Sequence, residues 1–207
     1  MKNTLYLLLF TFIILSCKAQ SPVISLYDGD EYLNIENAYY KDTDNDFDRF
    51  VGTWKFTNGS EEFTIILKKK LQYMFTYINK TYYKDMLYGE YNYIDENGNE
   101  LINTLTYIDN TFTNISEHKI FGNSIIPYKF LPKCETCLPG ERRIRLRLID
   151  VLKDYLGINI VLRTVPNETN ITVNDLQLVI TGTYADIPDG VSTIPTIPYG
   201  AYLMIKQ

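Results

Sequence analysis

The sequence is short of the residues on which most site chemistry is built: it has one histidine, His118, one tryptophan, Trp54, and three cysteines in 207 residues. A single imidazole leaves little material for a histidine-ligated metal site or for histidine acid–base catalysis. Positive charge is also in deficit, with 20 Lys and Arg against 25 Asp and Glu and a formal net charge of −5. That sign argues against nucleic acid as a partner. The apolar run Leu5 to Leu15 is about eleven residues, too short to span a bilayer as a helix. There is no Gly-x-Ser-x-Gly elbow and no glycine loop to cradle a phosphate. No two carboxylates form an apolar-flanked pair poised for acid–base work. On these grounds no catalytic residue, metal or cofactor is assigned.

What the chain does have is tyrosine, 18 of them, within a 14% aromatic content. With recurrent Asn-Gly pairs this predicts an all-β protein. Phe50 to Lys70 is the clearest segment. Asn58-Gly59 is a strong two-residue turn signal, and that turn sets Trp54 opposite Phe63, Gly52 opposite Ile65 and Phe50 opposite Leu67. Strand alternation puts these residues on one face with Phe56. Lys55–Glu62 and Thr53–Thr64 then pair on the other face, each worth roughly 0.2–1 kcal/mol. A second turn at Asn97-Gly98 sets Tyr93 opposite Ile102 and Asp95 beside Glu100, an unfavourable pair that favours a longer loop.

Further on, Glu141 to Leu152 alternates, with Ile144, Leu146 and Leu148 on one face and Arg143, Arg145 and Arg147 on the other. An arginine row is a candidate clamp for an anionic group, or the solvated face of a strand that discourages edge aggregation. Ile158–Leu162, Leu176–Ile180 and Tyr199–Ile205 read as later strands. Cys134 and Cys137 sit among prolines and a glycine, with no helix pattern after them. A disulfide, a redox pair and a share in a metal site are the three readings, and an oxidising compartment favours the disulfide. Asp42 to Asp48 resembles half a calcium loop, but Phe47 and Thr53 stand where Gly and Glu are needed. An acidic, solvated tether is the plainer reading.

The leader carries the most specific signal. Lys2, the apolar run and Ile14-Leu15-Ser16-Cys17 resemble the lipobox of bacterial lipoproteins. The resemblance implies a signal peptide over 1–16, acylation of Cys17, and a new N-terminus there. The segment 17–48 is then a flexible acidic tether with a root-mean-square reach of about 30 Å, and 49–207 a single β domain. Lys18-Ala19-Gln20-Ser21 contains no acidic run of the kind that surface-exported Bacteroidetes lipoproteins often carry, so an outer-membrane anchor facing the periplasm is expected.

Two more resemblances bear on the domain. Gly52-x-Trp54 resembles the first barrel strand of lipocalins and related calycins. It implies an antiparallel meander closing into a lipocalin-like β-barrel, with a β-sandwich as the alternative. Over most of its length the chain resembles a family of short flavobacterial lipoproteins of unknown function. The motifs are Asp46-Phe-Asp-Arg-Phe-Val-Gly-Thr-Trp54, Leu87-Tyr-Gly-Glu-Tyr91, Cys134-x-x-Cys137 and Pro198-Tyr-Gly-Ala-Tyr-Leu-Met-Ile-Lys-Gln207. No activity transfers from that likeness. In a barrel, Trp54, Phe63, Tyr88, Tyr91 and Tyr93 either line a pocket for a small apolar ligand or fill the core. The second case leaves a structural module that binds an envelope protein. Replacing Cys17 by Ser is expected to release the protein from membranes; the check is its partition between pellet and supernatant after cell lysis.

Overall fold

A computed structural model describes residues 21–27, 35–167, 174–182 and 187–207. The leader and Cys17 lie outside the described residues. In chain order the strands are β1 (Val23–Ser25), β2 (Tyr39–Lys41), β3 (Gly52–Asn58), β4 (Glu61–Tyr77), β5 (Lys80–Ile94) and β6 (Glu100–Asn103). They continue with β7 (Ile120–Pro127), β8 (Arg142–Leu148), β9 (Ile158–Pro166), β10 (Asn174–Gly182) and β11 (Gly200–Lys206). Helix among the described residues amounts to three short 3-10 turns.

Strands β3, β4, β5, β7, β8, β9, β10 and β11 are each hydrogen-bonded to the next, and β11 returns to β3. The meander therefore closes into an eight-stranded antiparallel barrel, the expected lipocalin-like form. Closure removes the free edges that an open sandwich would have to protect. β6 is an extra antiparallel partner of β5. β1 and β2 join β5 as parallel strands where β5 extends past the barrel wall.

The first hairpin forms two residues away from the expected register. Asn58 pairs with Glu61, so Gly59 and Ser60 make the loop, and Trp54 faces Ile65 while Phe56 faces Phe63. Gly59 takes positive φ (63°) and Ser60 does not, as in a loop that needs glycine only at its first central position. A shift of two keeps every side chain on its expected face. Lys55 therefore still reaches Glu62, at 2.8 Å, across the diagonal. The second turn behaves as the charge argument requires. Tyr93 pairs with Ile102, but a bulge follows and Ile94 pairs with Glu100. The Asp95 carboxylate then accepts from the backbone N–H groups of Asn97 and Asn99 instead of facing Glu100. A hydrogen bond from the Asn99 side-chain amide (3.1 Å), together with those backbone donors, holds its pKa below the usual carboxylate range.

The barrel interior is solid. Phe63, Ile65, Leu67, Leu87, Tyr91, Ile144, Ile160, Leu162, Leu176, Leu178 and Met204 all have 0% exposure. A void wide enough for water would leave accessible area on its lining, and these side chains have none. Phe63 sits at the centre of an aromatic cluster, edge-on to Tyr91 and Tyr93 at 6.2 Å and to Tyr202 at 5.4 Å. Each such pair contributes about 0.5–1.5 kcal/mol beyond area burial. Trp54 is buried and donates through Nε1 to the Phe50 carbonyl at 2.8 Å.

The acidic segment after the leader is not a free coil over its described part. Val23–Ser25 and Tyr39–Lys41 are paired strands, and Asp42, Asp46 and Phe47 are buried. Asp42 accepts from the N–H groups of Asp46 and Phe47 at 2.8 and 2.9 Å, and Asp46 pairs with Arg49 and Arg142. The aspartates that looked like a calcium half-loop or a solvated linker instead tie this segment to the barrel. The boundary placed at residue 49 therefore cuts through packed structure. One interior contact leaves no slack: a Cβ on Gly89 would lie 2.2 Å from the Ile66 carbonyl oxygen and 2.8 Å from Leu67 Cδ2. Gly89→Ala is expected to destabilise the barrel by at least about 1–3 kcal/mol, read as a lower urea midpoint.

Candidate functional site

Strand β5 carries both the core and the candidate site, because its side chains alternate. Leu87, Gly89, Tyr91 and Tyr93 point inward, so Tyr88, Glu90 and Asn92 point out. The segment 104–118 folds back over that outer face. Thr104 holds one end of it, its N–H donating to the Tyr91 carbonyl at 2.9 Å while its hydroxyl accepts from the Tyr91 N–H at 3.1 Å. Asn114 caps the turn Ile115–Glu117 in a reciprocal capping box with Glu117. Tyr73 on β4 meets this cap, donating to Asn114 Oδ1 at 3.3 Å and accepting from the Ile115 N–H at 3.4 Å. Lys68 pairs with Asp109 along the same flank.

The covering segment delivers His118 onto Glu90. His118 Nδ1 lies 2.8 Å from Glu90 Oε1; the glutamate is fully buried and the histidine nearly so. The imidazole is held between the rings of Tyr88, at 4.5 Å, and Phe112, at 4.8 Å and edge-on. Above it opens a recess of about 180 Å³ lined by Lys70, Tyr73, Tyr88, Asp109, Phe112 and His118 among others. With the proton on Nδ1, the ring donates to the carboxylate and offers Nε2 as an acceptor. Nε2 makes no protein hydrogen bond among the described residues, and no hydroxyl or thiol is bonded to the ring there. Glu90 Oε2 is buried with no hydrogen-bond partner. The arrangement can hold a donor or a small polar group against an aromatic wall; it does not assemble a nucleophile beside a base. Among the described residues no three His, Cys, Asp or Glu side chains gather to hold a metal ion.

The five aromatic residues singled out from sequence separate into two groups. Trp54, Phe63, Tyr91 and Tyr93 belong to the filled core, whereas Tyr88 lies on the outer face in the recess. Tyr91 and Tyr93 reach out of the core with their hydroxyls, to the Ile149 carbonyl and to Glu61, both at 2.9 Å. Burial is the main cause that raises both phenol pKa values.

The arginine row is neither a solvated face nor an open clamp. Arg143 is buried and its guanidinium donates to the carbonyls of Pro127, Tyr128, Phe130 and Pro132, while burial lowers its pKa. Arg145 reaches Ser124 and lies over the Phe130 ring, and Arg147 reaches the Leu156 carbonyl. Arg147 thus faces the loop between β8 and β9, while Arg143 and Arg145 face β7 and the loop that follows it. In the loop after β7, Cys134 and Cys137 form the disulfide. Arg163 fastens the loop through a two-pronged pair with Glu141 (2.8 and 3.2 Å) and a hydrogen bond to Thr136.

Sequence reading missed Glu90 and the Arg163–Glu141 pair. The one local signal for Glu90 was a carboxylate alone among tyrosines and glycine in Tyr88-Gly-Glu-Tyr91. Its partner is 28 residues away in a loop.

Fold and site together define an all-β protein closed into a filled eight-stranded barrel, with a buried Glu–His pair beneath an outer recess. The chain belongs to a family of unknown function, DUF6705, whose profile matches residues 1–207. No curated protein and no solved structure matches it.

The Glu90–His118 pair makes a stability prediction. Leaving a buried carboxylate without its hydrogen-bond donor costs at least about 1–3 kcal/mol, whereas replacing both partners by apolar residues of similar shape is often close to neutral. His118→Leu is therefore expected to be destabilising, and Glu90→Leu with His118→Leu to recover most of the loss. Chemical unfolding of the four members of the cycle measures this.

Proposed function

We propose that the protein is a lipid-anchored, non-catalytic barrel of the bacterial cell envelope that acts through its outer surface as a binding module for an envelope protein. Acylated Cys17 attaches it to the inner leaflet of the outer membrane, facing the periplasm. The observation that carries this reading is the filled interior: an apolar ligand inside the barrel would have to displace Phe63, Tyr91 and their neighbours, which have no exposure. The recess over His118, about 180 Å³, is smaller than the roughly 300–1,000 Å³ of pockets that enclose drug-sized ligands. It matches one inserted side chain of a partner, the way interface anchors commonly dock. Tyr88, Tyr73 and Phe112 supply the aromatic wall enriched at such interfaces.

The test is mass spectrometry of proteins and lipids that co-purify with the full chain extracted from membranes. A defined protein partner, lost on Phe112→Ala with the fold intact by circular dichroism, is the expected result. A stoichiometric small apolar molecule retained by both forms would favour a carrier instead.

A further inference from the structure

The hairpin of β4 and β5 runs well beyond the barrel. β3 covers β4 only between Glu61 and Leu67, yet β4 continues to Tyr77. Past the bulge at Leu71–Gln72 the two strands pair only with each other and, along β5, with β2. At the end stands a two-residue loop, Ile78-Asn79, with φ of 46° and 61°. Positive φ at both positions is what Asn and Gly accommodate and a β-branched residue resists. The chain nonetheless places isoleucine there, 74% exposed, beside Met74 at 61%, Leu71 at 56% and Tyr77 at 49%. Lys70 and Lys80 flank these residues and are exposed. The projection is braced at its base: the buried Asp85 carboxylate accepts from the Tyr39 hydroxyl (2.6 Å), the Asp42 N–H (3.0 Å) and the Gln72 N–H at the bulge (3.1 Å).

The N-terminal strand gives this tip a direction. β1 is parallel to β2 and β2 to β5, with Val23 level with Tyr39 and Tyr39 with Tyr83. β5 starts at the tip, so the chain traced back from Val23 towards Cys17 heads to the same end. From Val23, Cys17 lies within about 20 Å by covalent reach. From Tyr83 the loop is about 14 Å away along the strand. That covalent limit is long enough to span the distance to the tip.

We infer that the β4–β5 tip is a membrane-docking element, in which Ile78, Met74, Leu71 and Tyr77 enter the lipid interface and Lys70 and Lys80 meet anionic headgroups. This rests on the acylation of Cys17 proposed above. It makes the anchor a two-point attachment that holds the barrel against the bilayer with one end outward, where a 30 Å flexible tether would let it tumble.

The test uses the full chain, expressed and acylated in a bacterial host. Ile78→Trp and Asn97→Trp variants are purified and reconstituted into phosphatidylethanolamine–phosphatidylglycerol vesicles, with or without brominated acyl chains. Asn97 lies in the turn at the opposite end of β5. Docking predicts that bromine quenches at least half of the emission added at position 78 and leaves the emission added at position 97 unchanged. If the protein pellets with membranes and Cys17→Ser releases it, but position 78 is not quenched, the docking is overturned and the anchor stands. A blue-shifted but unquenched position 78 would mean that a protein covers the tip, which also overturns it. If the unmodified chain does not pellet, the anchor fails and the docking fails with it.

Discussion

The packing around Phe63 is the constraint on which the rest of the molecule depends. Three tyrosines meet its ring edge-on, one pair from β5 and one residue from β11, so a single side chain couples strands far apart in sequence. Phe56 extends the cluster, edge-on to Tyr202 at 5.0 Å. With aliphatic residues from β8, β9 and β10 filling the remaining space, the barrel has no interior to offer a ligand. A lipocalin-like outline therefore does not imply a lipocalin-like use.

The outside is shaped by segments that cover the wall. The segment 104–118 lies over β5 and buries Glu90 with His118, and the disulfide loop lies over β8 and β9 and buries Arg143 and Arg163. In both places a charged group is taken out of water and given partners, since an unpaired buried charge is too costly to keep. Arg143 satisfies loop carbonyls, and Arg163 meets a carboxylate in a two-pronged pair. The Glu90–His118 contact leaves one carboxylate oxygen, Glu90 Oε2, buried without a hydrogen-bond partner.

The described part of the N-terminal segment belongs to the sheet. Acidic composition suggested solvated coil, and composition is a fair guide when no partner is present. Here Asp42 turns its carboxylate onto two backbone amides and Asp46 meets two arginines, Arg49 nearby and Arg142 from β8. The parallel strands β1 and β2 then set the direction in which the chain leaves the domain, towards the exposed apolar end of the β4–β5 hairpin.

Alternation of apolar residues, turn chemistry and tyrosine content were enough by themselves to determine an all-β meander, the inward faces of β3, β4 and β8, and the pairing of Tyr93 with Ile102. Those features are local or differ by whole pleats, so even a two-residue error in register left each face correct. The charge conflict between Asp95 and Glu100 was likewise visible in the sequence, and the bulge resolves it. What only the tertiary structure decided involves partners distant in the chain. Glu90 meets His118, Glu141 meets Arg163, Arg143 meets the carbonyls of a loop, and Tyr88 leaves the core for the recess. A period-two pattern says which side of a sheet a residue takes. It does not say whether that side faces water or a covering loop, and the burial of charge depends on that alone.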